Sequence, residues 1–144
     1  MPRADFRLKH SLRVRWSEVD PQNIVFNPNY LMYFDVAAGE YWRELGFVYP
    51  EGLSKLGVDT FVVSAKIDFH RSARYDDMID VLARTARLGR TSLRMLLEVH
   101  RGDEHLVSGE LIYVFADPKT QKPQPIPEVF RETVARYEIL PPEN

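Results

Sequence analysis

The chain has 144 residues, a formal net charge of −2 and no cysteine. That length suits one domain with a real core, expected to span residues 1–144. The charge balance gives no electrostatic reason to bind nucleic acid or an anionic membrane, and the lack of cysteine excludes disulfides, thiolate catalysis and Cys-based zinc sites. The start Met1-Pro2-Arg3-Ala4-Asp5 does not read as a secretory signal, and no run of about 18 apolar residues suggests a membrane span. A cytoplasmic protein is therefore the expectation.

From Phe6 to Trp16, apolar or aromatic residues and His10 occupy the even positions, while Arg, Lys and Ser occupy the odd ones. This period of two predicts a half-buried strand. A loop leads to Asn27-Pro28, where a preferred N-cap residue precedes a proline suited to the first helical position. The predicted helix runs from Pro28 to Leu45 and stops at Gly46. Leu31, Phe34, Ala38, Tyr41, Trp42 and Leu45 recur at helical spacing, and Tyr30, Tyr33 and Ala37 widen the stripe, so burial on more than one side is expected. A short helix is expected around Glu51 to Leu56.

The period then returns to two. Strands are predicted from Phe61 to Phe69, Met78 to Leu88, Leu93 to Val99 and Val107 to Phe115, with turns at Gly89-Arg90 and Gly102-Asp103. A proline-rich segment from Pro118 to Pro127 ends the sheet, and Glu128 to Tyr137 reads as a terminal helix. Short turns between successive strands imply antiparallel pairing. The expectation is an α+β fold in which an antiparallel sheet of five strands wraps one long helix.

The start of that helix carries chemical interest. Unpaired N–H groups and partial positive charge at a helix N-terminus suit a developing oxyanion. Asp20 places a carboxylate on the loop leading into it, and Pro28 has no N–H to offer, which narrows the donor choice to Asn27 and its neighbours. The plainer roles are that Asp20 shapes its loop and that the Asn27 side chain caps the helix.

The run Asp20-Pro21-x-x-Ile24-Val25-Phe26-x-Pro28-Asn29-Tyr30 resembles the motif of the 4-hydroxybenzoyl-CoA thioesterase family, whose fold is the hot-dog fold. The likeness continues through Asp35-Val36-Ala37-Ala38, Ala73-Arg74-Tyr75-Asp76-Asp77, Arg90-Thr91-Ser92 and Phe115-Ala116-Asp117-Pro118. It covers roughly residues 12–129, and acyl-CoA thioesterases associated with the Tol–Pal system share much of it. The family usually has Gly three residues after the Asp, where this chain has Asn23, a residue that tolerates left-handed backbone. It commonly has His or an aromatic residue where this chain has Asn27.

The resemblance implies hydrolysis of an aromatic or short acyl-CoA thioester, aliphatic acyl-CoA and acyl-carrier-protein thioesters staying open, with Asp20 as nucleophile or general base and Asn27 as oxyanion donor, and it implies no cofactor. Asp35 lies at an acidic family position and is expected either to meet a polar group of the acyl portion or to pair with a base. Arg90 and Ser92 are expected near the CoA nucleotide, Arg being suited to phosphate. Tyr30 belongs to an aromatic group, with Tyr33, Phe34, Phe26 and Trp42, that is mostly core but supplies candidates for an acyl pocket. Glu40 is a reserve carboxylate. The histidines, His10, His70, His100 and His105, lack metal-ligand spacing and are expected to be structural or exposed, so no metal site is predicted. A CoA thioester substrate and a homodimer or homotetramer are the expected partners. The competing readings are a hot-dog dehydratase or hydratase, disfavoured by the lack of His between residues 11 and 69, and a non-catalytic acyl-thioester binding module.

Overall fold

Alternating apolar and polar residues become strands β1 (Leu8–Arg13), β2 (Asp59–Phe69), β3 (Met78–Leu88), β4 (Ser92–Arg101) and β5 (Glu104–Ala116). The computed structural model describes residues 2–144. The strands form one antiparallel sheet in the order β1-β3-β4-β5-β2. Helix α1 (Pro28–Leu45) lies on the inner face, and a short helix α2 (Glu51–Ser54) and a terminal helix α3 (Glu128–Tyr137) complete the chain. This is the expected α+β architecture.

Helix α1 has the expected bounds because its terminal residues allow no others. Proline at the first helical position has the right φ and no N–H to leave unpaired. Gly46 takes φ +94° at the other end, where its N–H reaches Arg43 O at 2.9 Å and the Phe47 N–H reaches Trp42 O at 2.8 Å. Tyr33, Phe34, Ala37, Ala38 and Tyr41 are buried on the sheet. Leu31, Met32 and Val36 are exposed, so α1 buries one broad face and leaves an apolar stripe open. That departs from the expected burial on more than one side.

Contact between helix and sheet depends on Gly109. A Cβ at this position would lie 2.3 Å from the Phe34 ring. Only glycine lets the ring come this close to β5, and burial of a side chain such as Phe34 contributes about 1.5–3 kcal/mol. Helix α3 closes the far end through Phe130 and Val134. The Glu138 carboxylate beyond it accepts the Tyr41 hydroxyl and, at 2.7 Å, the Thr85 N–H.

Strand β1 is shorter than its pattern predicted. Residues Trp16–Glu18 form a 3-10 turn, held by Glu18 Oε1 accepting the Arg15 N–H at 2.8 Å. The turn takes Arg15 and Trp16 out of the ladder, leaving the Trp16 ring exposed against Tyr75. The two edge strands differ in character. β1 carries Lys9 and Arg13, charges that discourage edge pairing, whereas β2 exposes Val62, Val63 and Phe69.

Candidate active site

Asp20 stands on a loop pinned at both flanks. Val19 and Val25 bridge each other, Ile24 bridges Arg74, and the Val25 N–H donates to Ala73 O at 2.9 Å. Inside the loop, Asp20 Oδ1 accepts the Gln22 N–H at 2.8 Å and Asp20 O accepts the Asn23 N–H at 2.9 Å. Asn23 has φ +64°, the left-handed conformation that a glycine would adopt freely and Asn tolerates. The loop therefore keeps a tight path without glycine.

Glu18, not singled out from sequence, holds this loop to α1. Its carbonyl accepts the Phe26 N–H and the Asn29 Nδ2, both at 2.9 Å. Its buried carboxylate accepts the Tyr33 hydroxyl at 2.9 Å and the Arg15 Nε at 2.7 Å. Burial pushes the Glu18 carboxyl up, but the Arg15 and Tyr33 bonds outweigh burial and hold it below its usual 4.5. The available signal was Glu18 three residues after Arg15 and two residues before the Asp20 motif.

Asn27 differs from its expected capping role. Its backbone is already helical, at φ −55° and ψ −35°, and its side chain makes no capping bond. Phe26 O takes the first turn's bond, from the Asn29 N–H at 2.8 Å. Among the described residues the Asn27 N–H donates to no group, and Asn27 is exposed. A free donor thus stands at the positive end of an 18-residue helix.

Beyond this helix start, a cavity of about 440 Å³ is lined by Pro28, Leu31, Met32, Asp35, Val62 and Leu111. Asp35 and Val62 also line a neighbouring cavity of about 200 Å³ with Gly39, Trp42, Tyr49, Thr60 and Tyr113. The second cavity has the more polar lining. Among the described residues the Tyr113 hydroxyl is buried without a partner, and burial, with the Asp35 charge as a lesser cause, pushes its pKa up. Tyr49 donates to Asp59 Oδ2 at 3.3 Å. Tyr113 and Tyr49 were not singled out from sequence; an inward-facing Tyr on a period-two strand was the signal for Tyr113.

The other expected site residues divide. Asp35 faces the cavities. Tyr30 does not: it is buried, and its hydroxyl accepts the Ala73 N–H at 3.0 Å, so it anchors the loop from within the core. Tyr33, Phe34 and Trp42 are also core, whereas Phe26 is exposed. Glu40 pairs with Arg43 at 3.6 Å on the helix surface. Arg90, exposed, and Ser92 lie at the β3–β4 turn, with Arg90 O accepting the Ile126 N–H at 2.9 Å. That turn is at the opposite end of β3 from Ala73 and Arg74, about 30–35 Å along the strand. Within one chain, Arg90 and Ser92 therefore do not join Asp20.

Residues 22–108 match the family model of the thioesterase superfamily. The chain belongs to that superfamily and is a thioester hydrolase of the hot-dog fold. Over 91 residues it is 31% identical to a protein of Aquifex aeolicus (strain VF5) provisionally named an esterase, covering 63% of this chain and 70% of that one. A thioesterase of Thermus thermophilus, solved in complex with coenzyme A and zinc, superposes with a TM-score of 0.81 at 28% identity, covering 95% of this chain and 98% of that one. A gentisyl-coenzyme A thioesterase superposes with a TM-score of 0.79 at 25% identity, covering 88% and 98%. Among the described residues, no helix is long and apolar enough to cross a membrane.

Proposed function

We propose that this thioesterase hydrolyses acyl-CoA thioesters whose acyl group is aromatic and carries a polar substituent, as 4-hydroxybenzoyl-CoA does. The observation that carries the reading is the unpartnered Asn27 N–H, set between the Asp20 loop and a cavity along α1. The thioester carbonyl oxygen accepts that N–H, and the helix end stabilises the negative charge that grows on it in the tetrahedral state. Asp20 supplies the carboxylate. As nucleophile it bonds to the carbonyl carbon, expels the CoA thiolate and leaves an anhydride for water to cleave; as general base it takes a proton from the attacking water.

The acyl group runs along Leu31, Met32 and Val62 toward Asp35, Tyr49 and Tyr113. A hydroxylated ring supports both ends of that path: its faces pack on apolar walls, and its hydroxyl gives the Tyr113 oxygen a partner. Similarity to a gentisyl-coenzyme A thioesterase favours the same acyl class.

The active unit of this proposal is a dimer formed across β2. That edge exposes Val62, Val63 and Phe69, and pairing covers it. Antiparallel pairing of two β2 strands places the Asp59 end of one copy beside the Phe69 end of the other. It thereby carries Arg90 of the second copy toward Asp20 of the first, where Arg90 and Ser92 contact the CoA nucleotide, and tetramers form from such dimers. The test is turnover on a panel of hydroxyaroyl-, aroyl- and straight-chain acyl-CoA substrates. Hydroxyaroyl-CoA is expected to give the highest kcat/KM; a clear preference for straight chains rejects the acyl assignment.

A further inference from the structure

Away from α1, on the outer face of the sheet, the hairpin of β4 and β5 gathers residues that their sequence spacing kept apart. Leu97, Val99 and Val107 point into the core, so the alternating Glu98 and His100 point outward. His105 pairs with His100 across the hairpin because the register shifts by one residue beyond Val99. The two imidazoles stack with centroids 4.8 Å apart and planes 9° from parallel. Glu98 Oε1 lies 2.8 Å from His100 Nε2 and 3.8 Å from His105 Nε2. The donor atoms of all three residues fall within 4.8 Å of one another. The sequence spacing of the histidines does not show this grouping.

The cluster is not self-sufficient. Glu98 and His100 are buried, and among the described residues His100 Nδ1 has no hydrogen-bond partner. A buried carboxylate is costly unless something positive faces it. His105 has only neutral alternatives to Glu98, namely Val107 O at 3.1 Å and Ser108 Oγ at 3.0 Å. Ser108 Oγ also lies 2.9 Å from His70 Nε2, whose ring stands 4.9 Å from that of His105.

We propose that Glu98, His100 and His105 form a binding site for a divalent transition-metal cation, zinc being the best fit. Two imidazoles and one carboxylate are a donor set suited to zinc. In a tetrahedral site with bonds near 2.0–2.1 Å, ligand atoms stand about 3.4 Å apart. The Glu98 distances of 2.8 and 3.8 Å bracket that separation, and the two stacked imidazoles turn out of parallel to aim both in-plane lone pairs at the ion. Water or His70 fills the fourth position. The ion's charge would balance the buried Glu98, and its bonds would tie β4 to β5 beside the turn of the hairpin. None of the three ligands belongs to the Asp20 site, so the proposal stands independently of the catalytic reading.

Titration of the untagged, metal-stripped full chain with zinc chloride, followed by calorimetry, tests this. Saturation at one ion per chain is expected, and cobalt chloride should give the strong visible absorption of a tetrahedral site. His105 is partly exposed, so His105→Ala should fold, as circular dichroism will verify, and should weaken zinc binding at least about tenfold. Glu98→Gln should weaken it comparably, while His10→Ala should leave it unchanged. Absence of saturable binding at millimolar zinc overturns the proposal. So does binding of equal strength to wild type in the folded His105→Ala and Glu98→Gln variants.

Discussion

The Glu18 carboxylate and the Tyr33 hydroxyl meet 2.9 Å apart inside the core, joining the Asp20 loop to the buried face of α1. Hydrogen bonds to a charged group contribute about 1.5–3 kcal/mol, so Glu18→Gln should lower stability by about that amount at pH 7. The folded carboxyl is held below 4.5. Its stabilising contribution is therefore present above the unfolded value and is lost as pH falls through the folded one. Urea denaturation of wild type and variant should show a gap at pH 7 that narrows below about pH 4.5. A gap that widens with acid contradicts the pairing.

Gly109 and Phe34 give a prediction about packing. Gly109→Ala forces a methyl group into the ring and should cost about 1–3 kcal/mol, the usual penalty for overpacking. Phe34→Leu removes the obstructing atoms. The double variant should consequently lose less stability than the two single losses added together. Simple additivity would mean that strand and helix are not in the close contact described.

Tyr113 separates a binding role from a structural one. Its hydroxyl is buried without a partner among the described residues, so Tyr113→Phe should leave stability unchanged or raise it slightly. If the hydroxyl meets a polar acyl substituent, the variant should lose about 1 kcal/mol of discrimination, roughly fivefold in kcat/KM, between hydroxyaroyl- and unsubstituted aroyl-CoA. Equal losses on both substrates would assign Tyr113 to packing alone.

Asn27 lends itself to a comparison of two variants. Because the side chain caps nothing and is exposed, Asn27→Ala should change stability by less than about 0.5 kcal/mol and should keep most turnover. Asn27→Pro removes the N–H at a φ of −55°, which proline accepts. In a folded protein it should lose roughly 10² to 10³ more turnover than the alanine variant. Matching turnover in the two would remove the N–H from the mechanism.

Much of the fold was legible because strong local signals agreed with the global packing. Pro28 and Gly46 marked both ends of α1, and the tolerance of Asn23 for positive φ anticipated its +64°. Features that depend on partners distant in sequence were harder to read. The overlong reading of β1 missed the capture of Arg15 by Glu18, a buried charge with no period of its own. Tyr30 looked like a pocket wall because its motif neighbours are catalytic candidates, yet its hydroxyl is needed by Ala73, 43 residues away. Asn27 looked like a cap, but the chain enters helical conformation one residue early and Phe26 supplies the first acceptor. The histidine cluster depends on a register shift in β4–β5 that spacing alone does not reveal. Arg90 shares the family motif with Asp20, but the length of β3 divides them within a single chain.

Asp20→Asn provides the most direct test of the account. The amide keeps the size of the side chain and an oxygen for the Gln22 N–H, so the loop should survive, as unchanged circular dichroism and thermal melting would show. Turnover of an accepted aroyl-CoA should fall by on the order of 10² to 10⁴, the usual loss on removing a catalytic carboxylate. A folded variant that retains more than about a third of wild-type turnover, where that loss is expected, would contradict the assignment of Asp20 as the catalytic group.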